Sequence, residues 1–151
     1  MNIWVDADAC PKTVREILFR VADRTKISVT LIANQSVPIW PSRYIRFIQV
    51  SRGFDVADNE IVARVTAGDL VISSDIPLAY EVLEKGGHVI NFRGERYTQE
   101  NIRELLNMRD FMDILRSSGM ECKSGPAAMT AKDSQMFANQ LDRFLAAAGK
   151  A

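Results

Sequence analysis

Histidine is nearly absent: a single one, His88, stands in the 151 residues, which argues against a zinc site. Cysteine is almost as scarce. Cys10 and Cys122 lie far apart and in no metal-ligand spacing, so the expectation is two free thiols in a reducing compartment. An excess of charge is missing too. Lys plus Arg number 19 and Asp plus Glu number 19, so no global field draws the chain to nucleic acid or an anionic membrane, and any such binding needs a local patch. No window approaches the roughly 20 apolar residues of a membrane helix. The opening "NIWVDADA" has no basic stretch leading into a long apolar run, so no signal peptide is expected. Internal repeats and low-complexity segments are also lacking. These absences leave a cytoplasmic domain of ordinary composition, 47% hydrophobic and 25% charged. Its length suffices for one domain that buries roughly 70% of the surface its unfolded chain exposes.

What is present alternates between strand and helix character. "NIWVDA" (2–7) is a short apolar run, and Pro11 suits the first turn of a helix over 12–25, where Val14, Ile17, Leu18, Val21 and Ala22 recur at helical spacing. "ISVTLIA" (27–33) is β-branched and reads as a strand, and after a loop with two prolines "IRFIQV" (45–50) is another. A helix follows from near Ala57 to Gly68. "LVIS" (70–73), wholly apolar, reads as a strand buried on both faces. "DIPLAYEVLEKGG" (75–87) is a helix with Pro77 in its first turn, and "HVINF" (88–92) a fifth strand. A long helix is expected from the cap Thr98 to Gly119. Past the loop "MECKSGPAAM", Thr130 with Asp133 approximates a capping box for a last helix. The order β-α-β-β-α-β-α-β-α-α predicts an α/β fold, with helices on both faces of a mainly parallel five-stranded sheet.

In such sheets ligands bind beyond the carboxyl ends of the strands, where the strand order reverses. Asp6 and Asp8 fall at the carboxyl end of strand 1, Asp75 follows strand 4, and Asp58 opens the helix that feeds strand 4, with Asp55 three residues earlier. If strands 2 and 3 extend to one side of strand 1 and strand 4 lies on the other, Asp6, Asp8, Asp58 and Asp75 converge. Taken singly, each can be a helix cap worth about 1 kcal/mol. Together, four carboxylates in one cleft would raise one another's pKa. A hard divalent cation, Mg²⁺ or Mn²⁺, would relieve the repulsion.

These motifs also carry a likeness. "VDADACP", "DVADNEIV" and "GDLVISSDIPLA", with "MRDFMDILRSSG" and "KDSQMFANQLDRFL" near the end, resemble the YaiI/YqxD family of uncharacterised bacterial proteins over essentially the whole chain. That family is similar in pattern to PIN-like domains, metal-dependent nucleases with a parallel sheet and a ring of acids. The resemblance implies a three-layer sandwich forming a single PIN-like domain over 1–151. It also implies metal-binding roles for Asp6, Asp58 and Asp75, with Asp8 as a helper. Asn59 departs from the pattern, since the family often has aspartate there, and it puts a second metal in question. Glu60 is the nearest replacement. The implied function is phosphodiester hydrolysis of nucleic acid, RNA above all, with no membrane partner.

A substrate backbone needs cations. Lys12, Arg43, Arg46 and Arg52 are expected on or near the cleft rim, Arg93 and Arg96 after strand 5, and Ser74 beside Asp75 as a phosphate ligand. Ser73 and Ser74 can also orient a carboxylate. Trp40 and Tyr44 offer stacking faces, although a tryptophan between prolines also packs readily against its own domain. Two alternatives stand beside the nuclease. One is a non-catalytic RNA-binding or regulatory module with a structural metal. The other is a haloacid-dehalogenase-type phosphatase with Asp6 as nucleophile and Asp8 as acid/base. That second scheme needs two close aspartates in its last motif, whereas Asp69 and Asp75 bracket a strand and point to opposite ends of the sheet.

Overall fold

The computed structural model describes residues 1–53, 55–117 and 129–149. Cys122, Gly119 and the expected loop up to residue 128 lie outside the described residues. The elements are β1 (Asn2–Asp6), α1 (Lys12–Thr25), β2 (Ser28–Ala33), β3 (Ile45–Gln49), α2 (Val56–Arg64), β4 (Leu70–Ile72), α3 (Ile76–Glu84), β5 (His88–Ile90), β6 (Arg96–Tyr97), α4 (Gln99–Ser117) and α5 (Ala131–Ala147). One sheet runs in the order β3-β2-β1-β4-β5-β6. Every pairing from β3 to β5 is parallel, and β6 joins β5 antiparallel.

The alternation of side chains along the strands divides the core. Ile3 and Val5 of β1, Val29 and Leu31 of β2, Leu70 and Ile72 of β4, and Ile90 of β5 pack with α1 and α5. Trp4, Ile32, Val71 and Val89, on the other face of the same strands, pack with α2, α3 and α4. This is the period of two that a strand buried on both faces requires. The helices show their own stripe: Val14, Leu18, Val21 and Ala22 of α1 are buried.

Two boundaries differ from expectation, and one cap is more complete than expected. The expected five strands become six, because Asn91 organises a hairpin: its backbone N–H donates to the Glu95 carbonyl and its side-chain oxygen accepts from the Arg93 and Glu95 amides. A two-residue strand in "RGERY" carries no alternation to read. Gly94, at φ 86°, lies so close to α5 that an added Cβ would sit 2.6 Å from the Met136 carbonyl. Next, α2 stops at Arg64 rather than Gly68, because the Thr66 amide and hydroxyl both donate to Asp69 and pull the chain into a turn. At α5, Thr130 and Asp133 form a full capping box, each side chain accepting from the other's amide at 3.1 Å. No helix among the described residues is long and apolar enough to cross a membrane.

Candidate functional site

The strand order reverses between β1 and β4, and the acids gather at the carboxyl side of that junction. Val5 pairs with Ile72, so Asp6 and Ser73 come level one step further on. The Ser73 hydroxyl, wholly buried, donates to Asp6 Oδ2 at 3.0 Å and accepts from the Asp75 amide at 3.0 Å. One side chain thereby fixes both a carboxylate and the backbone that carries the next one. Asp75 caps α3, its Oδ1 accepting from the Leu78 amide at 3.0 Å, with Pro77 in the first turn. Asp58 enters from the first turn of α2, behind Asp55, whose φ of 61° places it in the left-handed region that Asp tolerates better than most residues.

The electrostatics are those of crowded acids. Burial raises Asp6 above the usual carboxylate range against the Ser73 bond, with the Asp75 and Asp8 charges adding to the rise. Asp58 is pushed up to about 7, first by burial, then by the charges of Asp75 and Asp6 and by a hydrogen bond to the Asp75 carboxyl. The pair borders an open cavity of about 510 Å³ lined by Asp55, Asp58, Asn59, Asp75, Pro77, Leu78, Tyr80, Glu81, Leu106 and Arg109. Asp6 does not line it. At 8% exposure it sits behind the rim.

The donors are hard carboxylate oxygens, the chemistry a Mg²⁺ or Mn²⁺ ion takes. Their placement is looser than their chemistry. Among the described residues no three or more His, Cys, Asp or Glu side chains are gathered so as to hold a metal ion.

The other expected residues divide. Asp8 is exposed, and both its oxygens accept from the Asn34 amide, at 3.2 and 2.9 Å, so it ties the ends of β1 and β2 together. Ser74 accepts from the Phe92 amide at 3.2 Å. Lys12 opens α1 and lines a separate hollow with Trp40. Trp40, 37% exposed, has its ring 5.4 Å from that of Phe19. Arg52 follows β3 on the carboxyl side. Arg43 precedes β3, at the amino end of a parallel strand and so at the opposite end of the sheet from Asp6; Arg46 lies within β3, the outermost strand. Arg93 pairs with Asp133 at 2.7 Å, and Arg96 donates to His88 Nδ1 at 2.8 Å. Glu60 pairs with Arg64 at 2.9 Å and is not part of the cavity, whereas Asn59 is. Cys10 is buried, its thiol pushed up to about 12 by that burial, and it is no nucleophile.

Sequence reasoning missed Glu81, Tyr80 and Arg109. The helical spacing of Pro77, Leu78 and Glu81 is a local signal that one face of α3 turns to the cleft. Arg109 gives no such signal, because only the crossing of α4 over α3 brings it there.

The comparisons agree with the motifs. The family model described as "Uncharacterized BCR, YaiI/YqxD family" matches residues 4–147. A UPF0178 protein of Thioalkalivibrio sulfidiphilus is 66% identical over 146 residues, covering 97% of this chain and 99% of its own. One from Pectobacterium carotovorum is 62% identical over 150 residues, covering 99% of each chain, and one from Yersinia pestis is 61% identical over 145 residues, covering 96% and 95%. No solved structure matches. The extent of the family match, together with relatives aligned almost end to end, places this chain in the YaiI/YqxD family.

Proposed function

We propose that the chain is a divalent-metal-dependent nuclease of the cytoplasm that hydrolyses phosphodiester bonds, RNA being its substrate, on a PIN-like three-layer sandwich. The observation that carries the reading is the gathering of Asp58 and Asp75 on one cavity, with Asp6 joined to the Asp75 backbone through Ser73, where the strand order reverses. A ligand-binding place in the fold coincides with acids that, among the described residues, form no ion pair. Helix capping explains the place of Asp75 and of no other member of the group.

Asp58 and Asp75 would hold the cation, with Asp6 behind them, and Mg²⁺ or Mn²⁺ would supply Lewis acidity and a polarised water. The chain's own residues do the positioning. Ser73 fixes the Asp6 carboxylate and the Asp75 backbone at once, and the α3 cap holds the Asp75 carboxylate at the mouth of the cavity. Pro77, Leu78 and Leu106 give the cavity apolar walls that strengthen the field of the acids.

The test is cleavage of end-labelled single-stranded RNA and DNA with Mg²⁺ or Mn²⁺, comparing wild type with Asp75→Asn. Asparagine also caps helices, so the variant should fold, which a thermal melt checks. Metal-dependent cleavage lost in the variant is expected; wild type inert on both substrates contradicts the reading. Asn59, which lines the cavity where the family often has aspartate, favours a second reading, a non-catalytic RNA-binding or regulatory module that keeps the acids for a structural metal. Binding of RNA without cleavage would support it. The phosphatase alternative finds less support, because Asp69 is fully engaged at the far end of β4.

A further inference from the structure

α4 carries an arginine where its own stripe asks for an apolar residue. Ile102 is buried and Leu105 and Leu106 are half-buried; the next position in that series, seven residues after Ile102, is Arg109. There it borders the acid cavity together with Asp58 and Asp75. Among the described residues it has no ion-pair or hydrogen-bond partner, although carboxylates share the cavity with it. A second cavity of about 400 Å³ continues along the same pair of helices, lined from α3 by Tyr80, Leu83 and Glu84 and from α4 by Gln99, Ile102 and Arg103. Tyr80 is the wall the two cavities share. Gln99 donates to the Leu83 carbonyl at 3.3 Å, so α4 starts beside the end of α3 and the two helices run past each other in opposite directions. Arg103 and Arg109 are six residues apart, a rise of about 9 Å along the helix.

We infer that the α3–α4 groove is the bed for a segment of single-stranded nucleic acid, with Arg109 and Arg103 each taking a phosphate and Tyr80 offering a ring face between them. This rests on the nuclease reading above and names how its substrate lies. Two cations with an aromatic wall between them suit a chain of phosphates carrying unpaired bases. A mononucleotide would reach one cation, and a paired base has no face to give Tyr80. Asp55, Asp58, Asp75, Glu81 and Glu84 also border the groove, so binding should be modest and should strengthen with magnesium.

Fluorescence anisotropy of a labelled short oligonucleotide, made once as RNA and once as DNA, tests the inference. It is read in magnesium on ice, before turnover, over a range of salt. For single strands each phosphate contact contributes about 0.7 to the slope of log affinity against log salt. Arg109→Ala and Arg103→Ala should each flatten the slope by about 0.7 on both probes. Lysine at either position should restore it, and thermal melts should stay at the wild-type value. Arg24→Ala, whose arginine pairs with Asp142 on the α1–α5 side, should leave the slope unchanged. Binding by wild type with an unchanged slope in both arginine variants overturns the groove and leaves the nuclease reading intact. Absence of binding to either probe overturns both.

Discussion

β4 has an aspartate beyond each end, and the two meet opposite surroundings. Asp69, at the amino end, is 3% exposed and accepts from the Asn2 amide, the Trp4 indole, and the Thr66 amide and hydroxyl at 3.0–3.1 Å. Burial opposes its ionisation, yet these donors outweigh burial and hold its pKa below the usual value. Asp75, at the carboxyl end, caps a helix but faces Asp58 and Asp6, and Asp58 is pushed up to about 7, first by its burial and then by those neighbouring charges. An acid surrounded by donors is a structural part, whereas an acid surrounded by acids waits for a proton or a cation. The difference lies in neighbours, since the residue type is the same and both flank one strand.

Breaking the amino end should do the most harm. Asp69→Ala strands the Trp4 indole and the Thr66 groups, and the cost should be about 3 kcal/mol in urea unfolding; a loss under about 1 kcal/mol would mean the donors find other partners. Ser73→Ala should come next, at about 1–3 kcal/mol, because it leaves the Asp75 amide without its acceptor. It should also raise Asp6 further, which carboxyl-carbon NMR reads directly, since the lost bond favours the ionised form.

The carboxyl end should respond in the opposite sense. Burial and the neighbouring acids push Asp58 up to about 7 against 3.8 for an ordinary Asp. Between those values the folded form keeps a proton the unfolded form has released, so stability falls as pH rises through that window. Asp58→Asn removes the penalty and can still donate to Asp75. Its Tm should rise by about 2–4 °C at pH 8, with the gain gone below the unfolded pKa. An equal Tm change at both pH values would show that crowding is not the cause. Thr130→Ala, away from either end, should cost about 1 kcal/mol through the lost cap. Arg24→Ala should cost less than that, since the Arg24–Asp142 pair is exposed.

What the sequence made readable was local or topological. α1 matches its expected bounds because its stripe is regular and Lys26 closes it in the left-handed region. The meeting of Asp6 and Asp75 followed from strand order alone. The engagement of Asp69 did not, because its partners at Asn2 and Trp4 are more than 60 residues away. The early stop of α2 escaped for the same reason, since it depends on Thr66 turning to Asp69. Asp8 sits next to the cluster in sequence but is taken by the Asn34 amide, a contact only the β1–β2 pairing creates. Arg43 shows the limit of reading by proximity, for a residue flanking a strand belongs to one end of it only.

The most direct test is calorimetric titration of Mn²⁺ into wild type and into Asp6→Asn/Asp75→Asn, with melts showing that both fold. Binding by wild type that disappears in the double variant is the predicted result. No binding by wild type up to millimolar metal, or equal binding by both, would contradict a metal site at the carboxyl end of β4.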